Sequence, residues 1–268
     1  MRHADLRRIG VIGPAGNMAL EWEFHRHLPR GVTMNHARAM RPGGTALTAG
    51  SLTEMGRNAI AAAESLVRTR PELLLYACTS GSFVEGPDTV DAVSDEITRA
   101  TGLPALTASR AVLEALQALG ARSVFLLTPY PEAINQAEIG FLNAAGLNVT
   151  GCVAHACTER YPIGAVASEE TEALLLAHEE AARQADVVFI SCTNLLSFDI
   201  VPGLEARLGR PVISSNLSLL WAALCRLELA SAPEPGRGLY AALPDAATAP
   251  VPAAADASAG TALHERTA

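Results

Sequence analysis

LLLYACTSGSF (73–83) and VVFISCTNLLSF (187–198) are two copies of one pattern. Each is a short, wholly apolar run that stops at Cys-Thr and passes into small polar residues. A continuous apolar run of this length, ended by a turn, is the signature of a strand buried on both faces of a parallel sheet. The copies lie 114 positions apart, from Cys78 to Cys192, and their flanks repeat with them. RRIGVIGP ends at Pro14 and ARSVFLLTP ends at Pro129, while TGLPALTAS (101–109) is echoed by LGRPVISSN (208–216). A strand-turn-helix unit used twice implies a duplicated α/β fold. Facing halves would bring two thiols to one cleft, where one group attacks or takes a proton and a second group donates one.

Working outward, strands are expected near 9–13, 32–37, 72–77, 104–107, 123–127, 148–153, 186–191 and 211–214. Helical patterns fall between them, among others at 51–69, 109–119, 131–145 and 168–184. Strands alternating with helices imply right-handed crossovers and parallel sheets. The expected architecture is two doubly wound lobes, 1–115 and 116–215, related by a pseudo-twofold axis with the site between them. The helix near 216–228 is expected to pack back on the first lobe. The Ala/Pro-rich stretch 243–268 has too few large apolar residues to offset its ordering entropy and reads as a disordered tail, with Gly238 to Tyr240 docking on the body.

Composition narrows the function. The chain has 268 residues, 49% of them hydrophobic but only 4% aromatic, which suits helices on parallel strands. Its net charge of −8 and scattered arginines argue against a nucleic-acid surface. The absence of lysine from the sequence excludes a Schiff-base lysine and a Walker lysine, and arginine cannot stand in because it does not deprotonate. No apolar run approaches the roughly 18 residues that span a bilayer, and the N-terminus has no signal-peptide core. Five cysteines without paired spacing read as reduced thiols, so a cytoplasmic protein is expected.

In an open parallel sheet, ligands bind beyond the C-terminal ends of the strands. Pro14 to Asn17, Cys78-Thr79-Ser80, Thr128-Pro129-Tyr130 and Cys192-Thr193-Asn194 all fall there. Free backbone N–H groups at such turns bind carboxylates and favour a thiolate, which points to a small carboxylic acid as ligand. A cysteine ending an apolar strand is commonly only a small buried hydrophobe, but the matched pair with polar neighbours weighs toward catalysis. Cys152 and Cys225 read as packing residues and Cys157 is open. His25 and His27 point to different faces of a helix, at a surface or rim; Ser214 to Asn216 suit a helix cap, with lining the cleft as the lesser alternative. Arg160 is either a solvated loop residue or a carboxylate contact. Gly13 to Gly16 lacks the nucleotide-binding patterns, no cluster has zinc spacing, and no cofactor or metal is expected.

With these residues in view, the chain over about 8–228 resembles the aspartate/glutamate racemase superfamily of duplicated, cofactor-independent α/β proteins with one catalytic cysteine per lobe. Three branches are similar. Maleate cis-trans isomerases share Pro14-x-x-Asn17, LLLYAC at Cys78, TPY at Tyr130 and ISC at Cys192. Arylmalonate decarboxylases share Thr79-Ser80-x-Ser82-Phe83, ATGLP and the second cysteine, but carry glycine in place of Cys78. Proteins encoded with ectoine-breakdown genes share SCTNL and SSN. The resemblance implies catalytic Cys78 and Cys192, with Pro14, Asn17, Thr79, Ser80, Tyr130, Thr193 and Asn194 holding the substrate. It implies maleate-type isomerisation, with two-base racemisation and malonate decarboxylation through Cys192 as alternatives, and a homo-oligomer is compatible with it.

Overall fold

A computed structural model describes residues 5–41, 47–157, 162–234 and 236–244. Its strands are β1 (Arg7–Pro14), β2 (Val32–Ala39), β3 (Leu73–Tyr76), β4 (Ala105–Thr107), β5 (Ser123–Thr128), β6 (Asn148–Ala154), β7 (Val187–Ile190) and β8 (Val212–Ser214). The helices are α1 (Ala19–His27), α2 (Ala49–Leu66), α3 (Thr79–Phe83), α4 (Ala92–Thr101), α5 (Ala108–Ala118), α6 (Glu132–Ala144), α7 (Ser168–Leu176), α8 (Glu179–Ala182), α9 (Val201–Leu208) and α10 (Ser215–Arg226).

The strands form two four-stranded parallel sheets, ordered β2-β1-β3-β4 and β6-β5-β7-β8. The same order in both halves is the duplication in three dimensions. The apolar runs LLLY and VVFI are the wholly buried inner strands β3 and β7, whereas the edge strand β2 mixes buried and partly exposed positions and the edge strand β6 is partly or fully exposed throughout. In each sheet the chain steps outward from the first strand, then returns to pair on its other side. That reversal, between β1 and β3 and between β5 and β7, is the switch point at which a crevice opens beyond the strand ends.

The echo of TGLPALTAS in LGRPVISSN also has a physical reading. Gly102 and Gly209 end α4 and α9 in the left-handed region, at φ 71° and 63°, which glycine adopts without penalty. A proline then stops further helix and a three-residue strand follows. Thr107 and Ser214 next cap α5 and α10, their hydroxyls accepting from the Arg110 and Leu217 amides at 3.1 Å.

The lobes are knit together. Helix α10 follows β8 yet packs along α5 of the first half. Helix α3 meets α6, with Phe83 stacked on Phe141 at 5.8 Å and edge-on to Tyr130 at 6.4 Å. Leu239 is fully buried, and Tyr240 closes over His27, whose ring also packs on Phe198 at 4.6 Å. His27 is therefore half-buried in an aromatic contact rather than a plain surface residue, while His25 is exposed. The single helix expected over 168–184 is broken at His178, whose Nδ1 donates to the Leu174 carbonyl at 3.0 Å. That side chain takes the carbonyl a continuing backbone N–H would have used. No helix among the described residues is long and apolar enough to cross a membrane. Beyond Leu243 and Pro244, the stretch expected to be disordered lies outside the described residues, as does Arg160.

Candidate active site

The two switch points face each other across a cavity of about 820 Å³. It brings together Pro14 and Asn17 from the β1 turn, Cys78, Thr79 and Ser80 from the β3 turn, Tyr130 from the β5 turn, and Cys192, Thr193 and Asn194 from the β7 turn. The nine residues that the resemblance nominated all line it, whereas Thr128 and Ser214 to Asn216 do not and Arg160 lies outside the described residues. Cys157, left open by the sequence reading, lines the cavity too, whereas Cys152 and Cys225 do not.

Cys78 is the residue preceding α3, with extended backbone (φ −142°, ψ 105°). Its sulfur accepts from the Gly81 amide at 3.3 Å and lies 3.8 Å from the Ser80 hydroxyl. The side chain is buried, and burial pushes the thiol pKa up. The Gly81 amide, the Ser80 hydroxyl and the charge of Arg41 pull it back toward thiolate. The Ser82 hydroxyl donates to the Cys78 carbonyl at 2.9 Å and accepts from the Ser109 amide at 3.2 Å, which anchors the turn from below.

Cys192 is held differently. Its φ of 103° lies in the region that disfavours any residue with a Cβ. Its amide donates to the Ser215 hydroxyl at 3.0 Å, and that oxygen also accepts from the Thr79 hydroxyl at 2.8 Å. Ser215 therefore ties the turn bearing one cysteine to the turn bearing the other. The Cys192 sulfur accepts from the Asn194 amide at 3.4 Å and hydrogen-bonds the Tyr130 hydroxyl. Burial nevertheless pushes its pKa up to about 12, and the Cys78 and Glu138 charges push the same way. A thiolate at Cys78 thus keeps Cys192 protonated. Burial favours the protonated form of both thiols, and the charge of either one, if ionised, would hold the other protonated, so the pair is chemically coupled.

The polar side chains around them are largely engaged with the protein. Asn17 donates to the Thr193 hydroxyl at 2.9 Å, and that hydroxyl donates to the Ala77 carbonyl at 2.9 Å. The Asn194 side chain accepts from the Met18 amide at 2.9 Å, covering the start of α1. Arg38 donates to the Asn17 carbonyl and holds the β1 turn from behind. The Asn17–Thr193, Thr193–Ala77 and Met18–Asn194 bonds bridge the lobes and fix the shape of the cavity.

Sequence reasoning missed several supporting groups. Ser215 was read as part of a helix cap, with lining the cleft as the lesser alternative; its contact with Cys192 spans 23 positions and no local pattern announces it. Glu23 of α1 is buried and accepts from the Phe198 amide at 2.8 Å and from Asn216 Nδ2 at 2.6 Å, with burial pushing its pKa up to about 7. Glu138 of α6 is buried beneath the second thiol, where its Oε1 accepts from the Ser191 hydroxyl at 2.5 Å and its pKa is pushed up to about 8. Arg41 lines the cavity just past β2, and its place beyond a strand end was a signal available in the sequence.

The arylmalonate decarboxylase family profile matches residues 43–239 of this chain. The chain is 38% identical over 146 residues to an arylmalonate decarboxylase of Bordetella bronchiseptica, a stretch covering 54% of this chain and 61% of that one. It is 28% identical over 242 residues to a maleate isomerase of Nocardia farcinica, covering 87% and 94% of the two. The fold also matches a cysteine-to-serine variant of Nocardia farcinica maleate cis-trans isomerase that carries a covalently bound succinylcysteine intermediate. There the TM-score is 0.79 at 23% identity, over 88% of this chain and 98% of that one.

Proposed function

This chain belongs to the arylmalonate decarboxylase family, and we propose that it is a cofactor-independent isomerase of that family acting on a small cis-enedioate such as maleate. The observation that carries the reading is the pair of buried thiols, Cys78 and Cys192, one from each sheet, that line one cavity and are differently supported. Decarboxylation requires one cysteine as proton donor. Addition followed by elimination requires two.

The thiolate of Cys78 forms a C–S bond to one alkene carbon, and the π electron pair moves to the other carbon as an enediolate of its carboxylate. Cys192 gives its proton to that carbon. The former double bond is now single and turns. Cys192 then takes a proton from the same carbon, the π bond re-forms in the trans geometry, and the C–S bond breaks to return the Cys78 thiolate. With the second thiol missing, water would have to protonate the adduct and no thiolate would be there to take the proton back, which leaves a succinylcysteine; the Nocardia farcinica variant carries that species. The amides of the β3 and β7 turns and the hydroxyls of Ser80 and Tyr130 stabilise the enediolate; Pro14, Asn17, Thr79, Thr193 and Asn194 shape and orient the carboxylate site. All five cysteines are unpaired, so the chemistry suits a reducing cytoplasm.

The 38% identity to a decarboxylase favours a second reading, loss of CO₂ from a substituted malonate with Cys192 as proton donor. Proton NMR with maleate in D₂O, alongside phenylmalonate, separates the two. Fumarate formed by the native protein and by neither Cys78→Ala nor Cys192→Ala supports the isomerase. Turnover of the malonate alone, surviving in Cys78→Ala, replaces it with the decarboxylase.

A further inference from the structure

Tyr76, the last residue of β3, is fully buried, and its hydroxyl makes no conventional hydrogen bond among the described residues. Residues two apart in extended chain share a face, so Tyr76 points the way Cys78 does. Two glycines make room for the phenol. A Cβ at Gly81 of α3 would stand 2.5 Å from its oxygen and 3.1 Å from the Cys78 sulfur, and one at Gly56 of α2 would stand 3.9 Å from the same oxygen. Oxygen and sulfur are thus neighbours beside Gly81. Tyr76 does not line the cavity, so its hydroxyl reaches the sulfur from the protein side and leaves the cavity side to the substrate.

A buried hydroxyl without a partner is costly, and phenylalanine would fill the same space without that cost. The second lobe omits the group. At the matching position, 114 residues on, β7 ends in Ile190, and Cys192 is served by the Tyr130 hydroxyl from the β5 turn instead.

We infer that Tyr76 is a positioning residue acting through Cys78, its hydroxyl donating to the sulfur whenever that sulfur is a thiolate. This inference deepens the isomerase reading and rests on it for what the thiolate does. The phenol joins the Gly81 amide and the Ser80 hydroxyl around one sulfur. A donor stabilises an anion far more than a neutral thiol or the thioether of a covalent adduct. The bond is therefore present before addition and again after elimination, where it favours departure of the thiolate. Tyr76 gives up no proton: burial and the Cys78 charge hold the phenol protonated, and the Glu85 charge acts the same way. From the other elements, Arg41 favours the Cys78 thiolate and a thiolate at Cys192 would oppose it.

The test reads Cys78 without turnover. Native protein and Tyr76→Phe are alkylated with iodoacetamide across a pH series, and peptide mass spectrometry follows Cys78 with Cys225 as the reference in each sample. In Tyr76→Phe the Cys78 profile is expected to move to higher pH. Alkylation at pH 7.5 should be about three- to tenfold slower with Cys225 unchanged, the lost thiolate outweighing the greater nucleophilicity of what remains. Thermal unfolding at pH 6, where Cys78 is a thiol, should place Tyr76→Phe at or above the native protein, because the hydroxyl removed had no other partner. An unmoved Cys78 profile overturns the inference. So does a Tyr76→Phe protein that unfolds several degrees early, since the hydroxyl would then be bonded elsewhere. Maleate left unchanged by the native protein, with a Cys78 profile that follows Tyr76, would sink the isomerase reading alone; fumarate formed with an unmoved profile would sink this inference alone.

Discussion

Cys192 occupies a backbone conformation that suits glycine, and its replacement by glycine measures what that costs. At φ 103° the Cβ crowds the neighbouring carbonyl, and strain at such a position is of order 1–3 kcal/mol. Cys192→Ala and Cys192→Gly both remove the sulfur, so their difference isolates the Cβ. In ordinary backbone, glycine would be the less stable of the two by about 1.5 kcal/mol, from a lost buried carbon and a more disordered unfolded chain. At this position relief of strain offsets or exceeds that loss. Cys192→Gly should therefore unfold at or above the temperature of Cys192→Ala, whereas without strain it would unfold about 3–6 °C below, taking roughly 2–4 °C per kcal/mol for a chain of this size. Differential scanning calorimetry on both variants decides the matter. A glycine variant several degrees less stable than alanine would refute the claim that strain is stored at the second thiol. The strain is held in place by the Cys192 amide bonded to Ser215 at 3.0 Å.

Three further outcomes follow from the groups around the thiols. Burial raises the Glu138 carboxyl from 4.5 to about 8, so the folded chain keeps a proton that the unfolded chain releases, and native stability falls as pH rises between those values. Glu138→Gln removes that dependence. Urea midpoints at pH 5.5 and 7.5 should show the native protein losing ground to the variant by up to about 1.4 kcal/mol per pH unit, and parallel behaviour would contradict it. Ser215→Ala orphans the Cys192 amide and the Thr79 hydroxyl, both buried; a loss of about 1–3 kcal/mol in urea unfolding and a fall in kcat larger than any change in KM are expected, and an unchanged midpoint would count against the bridge. A Cβ at Gly81 would lie 2.5 Å from the Tyr76 hydroxyl and 3.1 Å from the Cys78 sulfur, so Gly81→Ala should slow alkylation of Cys78 while leaving Cys225 unaffected.

The sheets were legible because buried parallel strands are written as apolar runs, and because each run here stops at a turn residue. LLLYAC and VVFISC mark β3 and β7, and the shared Gly-x-Pro at 102–104 and 209–211 marks both a helix end and a strand start. The candidate site was legible for the same reason, since strand ends determine where a doubly wound fold opens. The partners of the site residues were not. Thr79 meets Ser215 across 136 positions and Asn17 meets Thr193 across 176, and no local period encodes contacts made by two halves closing on each other. The buried carboxylates Glu23 and Glu138 sit among apolar residues of α1 and α6 at helical spacing, where an acidic residue reads as solvated until the opposing lobe is present. The break at His178 depends on one side chain competing for one carbonyl, which the helical pattern over 168–184 hides.

The central claim is that Cys78 bonds covalently to the substrate while Cys192 manages the proton. Cys192→Ser keeps the first thiol and removes the acid-base partner of the second step. Incubated with maleate and read by intact and peptide mass spectrometry, this variant should accumulate a species heavier by one maleic acid, with the added mass on Cys78 and absent from the Cys78→Ala protein. A Cys192→Ser protein that gains no mass on Cys78, or still forms fumarate at the native rate, would contradict the two-thiol account.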